Sequence, residues 1–130
     1  MDETGGRSGF TFDGRARSVG HAIGGISLMI RTQHNAWIHA VATLLVILAG
    51  IIVKISIDDW CWMTLAIIIV WITEALNTSF EFLCDVVSPD FHPHVKQAKD
   101  IAAGAVLISA FGAVVIGMLV LGPPMLLIFS

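Results

Sequence analysis

Three long stretches carry almost no formal charge, and they limit what this chain can fold into. Residues 32–53 have none, residues 60–83 have only Glu74 and Glu81, and residues 101–130 have none. A helix rises about 1.5 Å per residue, so about 20 apolar residues cross a hydrocarbon core about 30 Å thick. Each stretch meets that length. The sequence therefore predicts an all-α integral membrane protein with three transmembrane helices.

Composition agrees. Of 130 residues, 56% are apolar and 13% charged, and the mean hydropathy is +0.85. A water-soluble domain of this size would need more polar residues to cover its surface. The length suits one domain and excludes a multidomain enzyme. A net charge of −3 with seven basic residues argues against a nucleic-acid binder, which needs a basic face to neutralise phosphates.

Residues 1–18 form a polar, glycine-rich leader containing Arg7, Arg15 and Arg17. It lacks the apolar run and small-residue cleavage site of a secretory signal, so no cleaved signal is expected. In residues 19–31, Val19, Ala22, Ile23, Ile26, Met29 and Ile30 recur at helical spacing between Arg17 and Arg31. That pattern predicts an amphipathic surface helix in preference to a flexible leader, although Gly24 and Gly25 weaken it. Residues 32–122 hold the three spans, joined by polar connections at 54–59 and 85–100. Pro123-Pro124 are expected to stop the third helix near Gly122, leaving 123–130 as an apolar tail.

Four arginines precede the first span, Lys96 and Lys99 lie in the second connection, and nothing basic follows the third span. The positive-inside rule then places the N terminus and second connection in the cytoplasm and the C terminus outside. Trp60 and Trp62 would anchor the outer interface. Cys61 and Cys84 sit near opposite ends of one span, too far apart to bridge within one chain, and read as small apolar fillers.

The chemistry lies in the second span. Glu74, Asn77, Thr78, Glu81 and Asp85 recur every three or four residues and share one stripe of a helix. Ile67, Ile68, Val70, Trp71 and Phe80 are assigned to the opposite, apolar face. A carboxylate within the bilayer costs at least ~2.5 kcal/mol on insertion scales. Such a group is hard to retain for packing alone, and Glu74, the deepest, is the strongest candidate. Glu81 and Asp85 approach the headgroup region; simple solvation explains Asp85 equally well, whereas for Glu81 a functional role is favoured.

A second cluster, His92-Pro93-His94-Val95-Lys96-Gln97-Ala98-Lys99-Asp100, leads into the third span. Pro93 suits the first helical position with His92 before it as cap. Lys96 and Lys99 would share one face and hold an anionic group, or simply anchor to anionic headgroups. His92 and His94 make only a weak metal signal. In the third span Ala105, Ser109, Ala113 and Gly117 repeat every four residues, with Gly104 and Gly112 adding room, a pattern that lets helices approach closely in lipid. Three helices offer little shelter to two membrane carboxylates, which points to self-association.

The run Glu74-Ala-Leu-Asn77-Thr78-Ser79-Phe80-Glu81 through Asp85, followed by Ala98-Lys99-Asp100-Ile-Ala-Ala-Gly104, resembles the prokaryotic diacylglycerol kinase family. The His92-Pro93 and Asp100-Ile-Ala-Ala-Gly stretches are more similar to its undecaprenol kinase branch. The resemblance covers roughly Phe10 to Val120. It implies a homotrimer of three-helix subunits with an N-terminal surface helix, in the bacterial plasma (inner) membrane, with the active site cytoplasmic. It also implies transfer of the ATP γ-phosphate to a lipid hydroxyl, diacylglycerol or undecaprenol, with Mg2+.

By the same resemblance Glu74 is the general base and Asn77 orients the reacting groups. Glu81 is a metal ligand, and Lys99 and Asp100 contact nucleotide and hold the site. Arg15 or Arg17 would add nucleotide contacts. Where the family commonly places a second metal-binding Glu, this chain has Gln33. A neutral amide oxygen can coordinate a hard cation without adding negative charge. Either Asp85 or Asp100 compensates, or metal and nucleotide bind differently. No Walker loop and no protein-kinase H-R-D or D-F-G set is present. Two other functions stay open: a proton- or cation-coupled transporter subunit, since membrane carboxylates also serve relays, and a catalytically weak assembly partner.

Overall fold

The computed structural model describes residues 11–129; the part of the leader containing Arg7 lies outside the described residues. Four helices follow in order: α1 (Phe12–Thr32), α2 (His34–Val53), α3 (Ile57–Val87) and α4 (Pro93–Phe129). Of these, α2, α3 and α4 are long and apolar enough to cross a membrane.

The first helix starts well before Val19. Thr11 is extended, and its hydroxyl accepts the Gly14 N–H at 3.3 Å, which caps the helix at Phe12. Asp13 in the first turn and Arg31 in the last complement the helix dipole. Gly24 and Gly25 do not interrupt it. Gln33 alone separates α1 from α2: its backbone is extended, and its N–H donates to the Met29 carbonyl at 2.9 Å.

A tight turn follows α2. Lys54 takes the left-handed conformation, with φ of 54°, and the Ile55 N–H donates to the Gly50 carbonyl at 3.1 Å. The next helix begins earlier than the polar character of 54–59 suggests, because Ser56 and Asp59 form a reciprocal capping box. Asp59 N–H donates to Ser56 Oγ at 3.1 Å, and Ser56 Oγ donates to Asp59 Oδ2 at 2.7 Å. Asp58 and Asp59 thereby become first-turn residues.

The second connection is likewise shorter than 85–100, since α3 runs on to Val87 and α4 begins at Pro93. There the expected cap is present: His92 Nδ1 accepts the His94 N–H at 3.2 Å, and the His92 carbonyl accepts the Lys96 N–H at 3.0 Å.

Pro123-Pro124 do not stop α4, which continues to Phe129. Each proline removes one helical hydrogen bond, yet its φ is compatible with a helix. Ending the helix inside an apolar run would expose several backbone groups at once, which a bilayer cannot satisfy.

The third helix is central. It buries Met63, Ala66, Val70, Glu74, Asn77, Thr78 and Cys84, and it packs most extensively against α4. Two polar bridges fix its rotation. Trp71 Nε1 donates to Thr43 Oγ1 on α2 at 3.1 Å, and the hydroxyls of Thr73 and Ser109 on α4 lie 2.7 Å apart. Cys84 is a buried filler as expected, whereas Cys61 is exposed. Of the small-residue repeat on α4, Ser109 meets α3, while the Cβ position of Gly117, like those of the additional Gly104 and Gly112, faces open space.

Candidate functional site

The apolar spacing of α3 puts its polar stripe against the other helices and leaves its lipid face hydrophobic. Glu74 is only 1% exposed, and Asn77 and Thr78 are also buried. Glu81 is half-buried and Asp85 exposed, so the stripe runs from the packed interior to the helix end. Val70 belongs to this buried side and not to the opposite face. It stands one turn before Glu74, about 40° away around the helix.

Buried polar atoms are normally hydrogen-bonded, and here several are not. Both carboxylate oxygens of Glu74, Asn77 Oδ1 and Thr78 Oγ1 are buried without a hydrogen-bond partner. Asn77 Nδ2 donates to Glu81 Oε1 at 3.3 Å, so the amide turns its donor to that carboxylate and keeps its oxygen free. A buried carboxylate with two open oxygens can accept a proton or a hydrogen-bond donor from a ligand. A carboxylate beside an open amide oxygen offers hard oxygen ligands to a cation.

One residue that the sequence reading passed over joins the cluster. His39 on α2 lies with Nε2 3.5 Å from Glu74 Oε2. That is an ion-pair distance without hydrogen-bond geometry, and Nε2 has no other partner. Its signal was available, because a histidine inside an apolar span is as anomalous as a carboxylate there.

Two cavities flank α3, the smaller reaching the stripe at Thr78 and the larger ending one turn short of Glu74, at Val70 and His39. The larger, about 640 Å³, lies among α2, α3 and α4 with almost wholly apolar walls. It extends from His39 and Val70 to Leu121 and Met125. The smaller, about 290 Å³, separates α1 from α3 and is lined by Gly25, Met29, Thr78 and Phe82 among others.

The cationic cluster is organised differently from expectation. Lys96 and Lys99 do not jointly face an empty anion site. Lys96 Nζ contacts Asp100 Oδ2 at 2.6 Å, and Lys99 Nζ contacts Asp85 Oδ1 at 2.8 Å. Spacing in sequence showed the two lysines on one helix face, but the carboxylates that claim them come from one helical turn onward and from the preceding helix. Arg15 and Arg17 are exposed on α1, and Gln33 is half-buried between α1 and α2 with its side chain capping nothing. His94 Nδ1 lies 3.2 Å from Gln97 Oε1, and among the described residues no cluster of three His, Cys, Asp or Glu side chains could hold a metal.

Glu74 is already buried within the single chain, with His39 of α2 beside it. Glu81, the other membrane carboxylate, is half-buried, and Asp85 is exposed.

The family model for prokaryotic diacylglycerol kinase matches residues 20–121. The chain is 38% identical over 107 residues to an undecaprenol kinase of Bacillus subtilis, covering 82% of this chain and 87% of that protein. It is 37% identical over 110 residues to a diacylglycerol kinase of Synechocystis, covering 84% of this chain and 63% of that protein.

Proposed function

This chain belongs to the prokaryotic diacylglycerol kinase family, and we propose on that premise that the buried face of α3 is its phosphoryl-transfer site. The protein is a membrane lipid kinase and uses ATP. The acceptor is a long-chain lipid alcohol, with diacylglycerol and undecaprenol as the two candidates.

The observation that carries the assignment is Glu74, wholly buried with both oxygens open. In the reaction the lipid oxygen attacks the γ-phosphorus of ATP, the bond to the β-phosphate oxygen breaks, and ADP leaves. The hydroxyl proton passes to Glu74. Phosphoryl transfer depends mostly on positioning and charge neutralisation, so the base need only take that proton late. Asn77 holds Glu81 in place through its amide donor. The large apolar cavity takes the lipid tail, which lets the hydroxyl approach Glu74 beside His39.

The donor chemistry fits a magnesium ion delivered with the nucleotide. Magnesium commonly uses one or two carboxylates together with phosphate oxygens. Glu81 and the open Asn77 Oδ1 would hold it, and Gln33 would add at most a neutral oxygen. When bound, the ion offsets charge on the transferring phosphate. Lys99 would contact the phosphates once they displace Asp85, and Asp100 would hold the site through Lys96, with Arg15 or Arg17 adding charge from α1.

The arrangement suits a site at the cytoplasmic edge of the bacterial plasma membrane, where ATP is available and the basic residues cluster. There α1 lies along the surface, and a homotrimer closes the open side around Glu81 and Asp85. Purified protein in micelles with labelled ATP and a panel of lipid alcohols tests the proposal. Phosphate transfer to one acceptor is expected, with Glu74→Gln reducing it at least a hundredfold. Full activity in Glu74→Gln would remove Glu74 as base.

A further inference from the structure

We infer that His39 is the positioning residue for the Glu74 carboxylate, an inference that rests on Glu74 being the base. Three observations carry it. First, His39 Nε2 stands 3.5 Å from Glu74 Oε2, with side-chain exposures of 13% and 1%. Second, His39 Nε2 and both Glu74 oxygens are buried without hydrogen-bond partners. A donor-capable nitrogen and an acceptor-only oxygen face each other in an apolar setting where neither has another protein group to bond. Third, His39 lines the large cavity, the one assigned above to the lipid tail.

Left alone, a carboxylate on a helix can rotate, and each rotamer points its open oxygens differently. A hydrogen bond from His39 Nε2–H to Oε2 selects one of them. Oε1 is then left to receive the lipid hydroxyl proton. Catalytic hydrogen bonds are often long in a free enzyme and tighten when substrate arrives, and a 3.5 Å approach needs only a small closure. A misplacement of about 1 Å at a reacting group can cost about a hundredfold in rate. His39 acts through Glu74 and moves no phosphate itself.

The arrangement also gives α2 a part in a site otherwise built from α3. The Trp71–Thr43 hydrogen bond sets the relation of those two helices one turn further along α2, and so supports the His39–Glu74 approach.

Three substitutions at one position test this. His39→Ala and His39→Phe both remove the donor, the second while keeping ring volume, and each is expected to lower kcat ten- to a hundredfold with KM for ATP unchanged. His39→Gln keeps an N–H donor of similar reach and is expected to stay within about fivefold of wild type. Thermal melting in micelles should place all three close to wild type. Full activity in His39→Phe would overturn the inference. So would equal loss in all three, which would mean that shape and not the hydrogen bond is at work. If Glu74→Gln is inactive while His39→Phe is fully active, the assignment of Glu74 survives and only His39 falls. A fully active Glu74→Gln removes the base itself, a result distinguishable from the first.

Discussion

Trp60 crosses α2 at Gly50 so closely that a methyl group on Gly50 would stand 3.0 Å from the indole ring. Gly50 is fully enclosed by this ring and by Ile55, and the turn between α2 and α3 closes because no side chain intervenes. The ring expected to anchor an interface therefore also locks a helix pair. Gly50→Leu should destabilise the fold by about 1–3 kcal/mol, the usual cost of overpacking, read as a fall in melting temperature in micelles. A melting temperature equal to wild type would show that the ring can swing clear.

The capping box at Ser56 makes a separate prediction about stability. Ser56→Ala removes the acceptor for the Asp59 N–H and should cost about 1 kcal/mol. Specific activity at low temperature should not change, because α3 begins far from Glu74. A parallel loss of activity would link this turn to the site.

At the other end of α3, Asp85 holds Lys99. Both side chains are partly open to solvent, so Asp85→Asn should barely move the melting temperature. The effect should appear in nucleotide binding. Lys99→Met should raise the KM for ATP at least tenfold, and Asp85→Asn should change it in the opposite direction, by a few-fold, by freeing the ammonium group. Identical effects from the two variants would mean that the ion pair, and not the free lysine, is the functional unit.

Gln33 offers a gain-of-function test. Gln33→Glu adds the charge that the resemblance implies at this position, and a carboxylate binds magnesium more strongly than an amide does. The magnesium concentration for half-maximal activity should fall several-fold. An unchanged requirement would show that Gln33 lies outside the metal's reach.

Hydrophobic runs made the three spans legible, because a bilayer dictates their length whatever their neighbours do. Glu74 was legible for the same reason, since one charge in such a run is costly. What tertiary packing decides was less so. The polar stripe alone misplaces Val70, because the buried side of α3 continues as an apolar surface one turn before Glu74. Pro123-Pro124 looked like a stop because local propensity ranks proline last, while the bilayer penalises a broken backbone more. His39 stands out in sequence as a histidine in an apolar span, but its pairing with Glu74 depends on how α3 packs against α2. The ownership of Lys96 and Lys99 depended on where a following turn and a preceding helix placed their carboxylates.

Those two lysines meet their acidic partners before any nucleotide does. A tethered carboxylate acts as a competitor at high effective concentration, so a small anion such as chloride or free phosphate gains little by binding there. A triphosphate can engage several groups at once and so repay the displacement. On the proposed reading this edge is self-screened, since any incoming anion must first part a lysine from its own acid.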